Sequence, residues 1–116
     1  MSKPVVVLST CANADTAQKI ASALVEQHLA ACVSVVDRTF STYRWQGKLN
    51  VDAEALMIIK TMSEHLKAAN AVVKHLSGYE VPEFIAIDII GGSAEYLDWL
   101  KAECETRPNN TDADNA

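Results

Sequence analysis

Three histidines and three cysteines are the side chains in this sequence best suited to hold a metal. His28, His65 and His75 stand far apart, and Cys11, Cys32 and Cys104 include no CxxC pair, so no recognised ligand pattern appears. His28 reads as a helix-end residue. His75 lies near the end of a helix and Glu83 just past the following loop, so these two can approach one another, and copper or zinc would accept such ligands. A second set is Tyr43, Trp45, Tyr79 and Trp99 with Lys60 and Glu83. Tyr and Trp combine an apolar body with a polar handle, which suits a subunit interface or a cleft between subunits. Gly91-Gly92-Ser93 at a helix start could present backbone N–H groups to an anion, but a plain turn and cap accounts for it.

Enzymatic constellations are thin. No GxxxxGK[ST], GxGxxG, HExxH or GxSxG is present. The first strand-to-helix loop, Thr10-Cys11-Ala12-Asn13, has no Arg to hold phosphate as acylphosphatases do. RNA recognition motifs stack bases on aromatics of their first and third strands, and Val5 to Thr10 and Leu49 to Met62 contain none. No catalytic reaction is expected.

The elements that must position these residues fit one domain of 116 residues, 49% apolar and 22% charged. A net charge of −5 with scattered Lys and Arg argues against a nucleic-acid partner and against an anionic membrane surface. No apolar run is long enough to span a bilayer. Met1-Ser2-Lys3-Pro4 leads straight into a strand without a secretory leader, and the cysteine count is odd. The expectation is a cytoplasmic protein with reduced thiols.

Val5 to Thr10 reads as a buried strand. Asn13 caps a helix whose inner side carries Ala17, Ile20, Ala21, Leu24, His28 and Leu29, with Asp15 in its first turn. Cys32 to Met62 forms two long strands turning at Gln46-Gly47. Ser63 is the expected cap of a second helix with Leu66, Ala69, Asn70, Val73 and Leu76 inward, ended by Gly78. Phe84 to Ile90 is a last strand, and Ser93 caps a third helix carrying Tyr96, Leu97, Trp99 and Leu100. Strand, helix, strand, strand, helix, strand plus a terminal helix predicts an α+β, ferredoxin-like βαββαβ plait over residues 1–105. Residues 106–116 carry no apolar anchor and read as a disordered tail.

The hairpin is the unusual element. Arms of about 15 residues extend roughly 50 Å, whereas a compact chain of this length has a radius of gyration of about 13 Å. Some of it must bend, with a bulge near Asp37-Arg38-Thr39, or project. A two-residue turn puts Phe40, Leu49 and Val51 on one face and Tyr43 and Trp45 on the other. One domain covers only one face of its sheet, so the arm reads as an oligomerisation element.

The chain resembles the CutA family of divalent-cation tolerance proteins. The resemblance rests on Ala30-Ala31-Cys32-Val33, Ser41-Thr42-Tyr43-Arg44-Trp45-Gln46-Gly47-Lys48 and Ile59-Lys60-Thr61. It continues through Tyr79-Glu80-Val81-Pro82-Glu83 and Tyr96-Leu97-Asp98-Trp99-Leu100, all in one uninterrupted order. It implies a homotrimer whose long hairpins extend across neighbouring subunits, a link to copper tolerance and structural kinship with the PII signalling proteins. That kinship raises a second reading, a PII-like trimer binding a small anionic metabolite between subunits. The metal ligands attributed to a bacterial member would fall here on Ser9, Leu76 or Ser77, and Glu83, with Gly78 where the family has Pro. Glu83 alone matches, with Cys11 and His75 a residue or two away. No cofactor is required, and any copper site is expected to be weak.

Overall fold

β-Branched and aliphatic residues in alternating register build four antiparallel strands, and three helices complete the architecture of the computed structural model, which describes residues 2–105. In chain order these are β1 (Pro4–Cys11), α1 (Ala14–Glu26), β2 (Cys32–Trp45), β3 (Lys48–Met62), α2 (Leu66–Ser77), β4 (Ile85–Asp88) and α3 (Ala94–Glu103). The sheet runs β2-β3-β1-β4, which puts β1 inside it, as its unbroken apolar run predicts. The segment 106–116, read as a tail, lies outside the described residues.

One face of the sheet is the core. Val7, Met57 and Ile59 are fully buried with Ile20 and Leu24 of α1 and Val73 of α2. Each such side chain contributes roughly 1.5–3 kcal/mol of transfer free energy. A smaller cluster joins Ala31, Met62, Leu100 and Cys104. The opposite face, with Ile85 and Ile87 about half exposed, is left largely open.

The caps agree with the sequence at three positions. Asn13 Oδ1 accepts from the Thr16 N–H at 2.9 Å, Ser93 Oγ accepts from the Tyr96 N–H at 3.3 Å, and Gly78 closes α2 at φ 74°. Other expectations need correcting. Ser63 does not cap α2: residues Ser63–His65 form a 3-10 turn, and Ser63 Oγ accepts instead from the Lys3 N–H at 2.9 Å. Asn70 and Leu76 point outward, because the helix buries only Ala69 and Val73. The last strand is shorter than Phe84 to Ile90. It pairs with β1 only over Ile85–Asp88, opposite Leu8 to Val5, although β1 itself runs on to Cys11, and Phe84 packs against the core instead.

His28 is a helix-end residue as expected, at φ 59°, with Nδ1 2.9 Å from the Glu103 carbonyl. The hairpin both bends and projects. Between Val36 and Thr39 β2 carries one residue more than β3, a β-bulge at Asp37-Arg38. Beyond it the arm runs to Gln46 (φ 52°) and Gly47 (φ 79°), the positive φ pair a type I′ turn requires. The molecule is 52 Å long against 31 and 23 Å across, with a radius of gyration of 15.5 Å.

Candidate functional site

Where the projecting hairpin leaves the sheet it faces the loop between α2 and β4, and a groove of about 660 Å³ opens between them. The hairpin supplies Tyr43, Trp45, Asp52 and Glu54, the loop supplies Tyr79, Glu80 and Glu83, and Thr10 at the end of β1 also lines it. Strand alternation explains the hairpin wall. Trp45 pairs with Lys48, Tyr43 with Asn50 and Ser41 with Asp52, so alternate residues of both strands share this face. Gly78 in the left-handed region turns the chain out of α2, and the Tyr79 N–H donates to Ser77 Oγ at 3.2 Å.

Two tyrosine–carboxylate pairs hold the walls. The Tyr79 hydroxyl donates to Glu54 Oε2 at 2.8 Å, joining loop to hairpin, and the Tyr43 hydroxyl donates to Asp52. Burial, followed by the Glu54 hydrogen bond and charge, pushes the Tyr79 phenol well above its ordinary range. The Asp52 hydrogen bond is the main cause of the upward shift at Tyr43. Both tyrosines therefore stay protonated donors at neutral pH. Among the described residues no Lys, Arg or His lines the groove, and its charged lining consists of the carboxylates Asp52, Glu54, Glu80 and Glu83.

Of the sequence-derived set, Tyr43, Trp45, Tyr79 and Glu83 meet in this groove. Lys60 lies further along β3, where Nζ donates to Ser34 Oγ at 2.9 Å on the open sheet face. Trp99 is on α3, its ring centroid 5.5 Å from that of Tyr96. Within one chain neither reaches the groove. Asp52, Glu54 and Thr10 escaped the sequence reading, although the hairpin register puts Asp52 and Glu54 on the Tyr43 face.

The metal candidates do not converge. Cys11 is buried against the helices, its thiol donating to the Asn13 carbonyl at 3.4 Å, and burial pushes that thiol up. His75 is exposed on the last turn of α2 and does not line the groove. Ser9 is fully buried and its hydroxyl donates to the Glu83 backbone carbonyl at 2.6 Å. Ser9 thus stands next to Glu83, as the resemblance implies for a ligand pair, but offers a hydroxyl where a thiolate would bind copper. Among the described residues no three His, Cys, Asp or Glu side chains are grouped to hold a metal ion. These residues do not fit a tight copper site.

A family model described as CutA1 divalent ion tolerance protein matches residues 5–103. The divalent-cation tolerance protein CutA of Thermus thermophilus is 46% identical over 96 residues, which are 83% of this chain and 93% of the relative. The chloroplastic protein CutA of Arabidopsis thaliana is 43% identical over 84% of this chain, which spans only 53% of that longer relative. The solved structure of the Thermus thermophilus divalent cation tolerance protein superposes with a TM-score of 0.86 at 43% identity, covering 88% of this chain and 99% of the other. A structure from Archaeoglobus fulgidus, described as a periplasmic divalent cation tolerance protein, has a TM-score of 0.85 at 34% identity, over 88% of this chain and 99% of that one. No helix among the described residues is long and apolar enough to cross a membrane.

Proposed function

The chain belongs to the CutA1 divalent ion tolerance family, and from that membership we propose that it acts as a homotrimer of ferredoxin-like protomers in copper tolerance, in the cytoplasm and without a catalytic reaction. The observation that carries the assembly is the apolar surface one chain leaves in water. Phe40, Leu49 and Val51 on the projecting arm are 67%, 70% and 61% exposed, and Ile85 and Ile87 on the open sheet face are 53% and 51% exposed. Large exposed apolar side chains on one face of the arm and on the open face of the sheet mark interaction surfaces, and two such surfaces on one chain suit a closed ring in which each arm lies against a neighbour. The non-catalytic reading is supported by the groove, where among the described residues no cysteine or histidine stands to act as nucleophile or base. Within one chain the same groove disfavours an anionic metabolite, since among the described residues no cation lines it.

Sedimentation at micromolar concentration tests the assembly. One species of three times the 12.6 kDa chain mass is expected. A well-folded monomer overturns it. Copper sensitivity of cells lacking the protein, restored by the intact chain and not by an arm-deleted one, tests the role.

A further inference from the structure

We draw no further inference here: the strongest candidate, the pair of imidazoles at the C-terminal end of α3, where His28 Nδ1 meets the Glu103 carbonyl and His65 Nε2 the Cys104 carbonyl, carries nothing, because these contacts only satisfy the last carbonyls of the helix and nothing among the described residues points to a ligand there or to a second position of the helix.

Discussion

Leu49 near the hairpin tip gives the sharpest test of the assembly. Its side chain is 70% exposed in the single chain, so any large stability effect must come from a partner. Truncation to Ala removes three carbons worth ~0.8 kcal/mol each on full burial, about 2.4 kcal/mol in all. Taking 70% of that as the part still to be gained on association gives about 1.7 kcal/mol per chain, or about 5 kcal/mol for three equivalent copies. A change of that size raises the trimer dissociation constant by roughly 10³–10⁴. That constant scales as concentration squared, so the half-dissociation concentration rises about 70-fold. Sedimentation of Leu49→Ala over a dilution series reads this shift directly, with circular dichroism confirming that the dissociated chain stays folded. If Leu49 faces only water, the substitution stays within about 0.5 kcal/mol. A midpoint displaced less than about threefold would sink the argument that this face is covered.

Tyr79 supplies a pH dependence. Its phenol is raised in the folded state, so its stabilising effect is complete below about pH 10, the unfolded value, and is lost as pH climbs through the folded value above that. Chemical denaturation should show stability falling above pH 10 by up to about 1.4 kcal/mol per pH unit from this group, and Tyr79→Phe should flatten that limb. Cys11 and Cys104 are fully buried with thiols pushed up by burial, so an alkylating reagent at neutral pH should reach them only after denaturant is added. Copper binding should be weak and little changed by Glu83→Gln, because Ser9 rather than a thiol adjoins Glu83. Submicromolar stoichiometric Cu(II) binding abolished by Glu83→Gln or His75→Ala in calorimetry would contradict it.

What was legible in the sequence was local. Gln46-Gly47, Asn13, Ser93 and Gly78 each act through backbone geometry set within a few residues, and each does what its residue type predicts. Ser63 misleads because its hydroxyl is taken by Lys3, a residue 60 positions away that β1 brings alongside. β4 begins only after Phe84, whose side chain packs against the core, a long-range contact that no local signal marks. In the groove, Tyr43 and Trp45 follow from hairpin register, and Asp52 and Glu54 could have followed from the same register. Thr10 and the Tyr79–Glu54 bond could not, since they join three chain segments that only the folded sheet brings together.

The bulge at Asp37-Arg38 ties the projecting arm to the groove. Before it, odd-numbered residues of β2 face the helices: Val33 and Val35 lie opposite Ile59 and Met57. The extra residue reverses the alternation, because a one-residue change of register moves every later side chain to the other face. Beyond it the odd positions Ser41, Tyr43 and Trp45 lie on the groove side with Asp52, while Phe40 shares the other face with Val51 and Leu49. Without that one residue, Phe40 would be turned to the groove side and Tyr43 away from Asp52. Thr39 steadies the junction by donating from Oγ1 to the Glu54 carbonyl at 3.3 Å, on the residue whose carboxylate holds Tyr79. A single inserted residue therefore decides that Tyr43 and Trp45 share one face of the arm with the carboxylates, while Phe40, Leu49 and Val51 share the other.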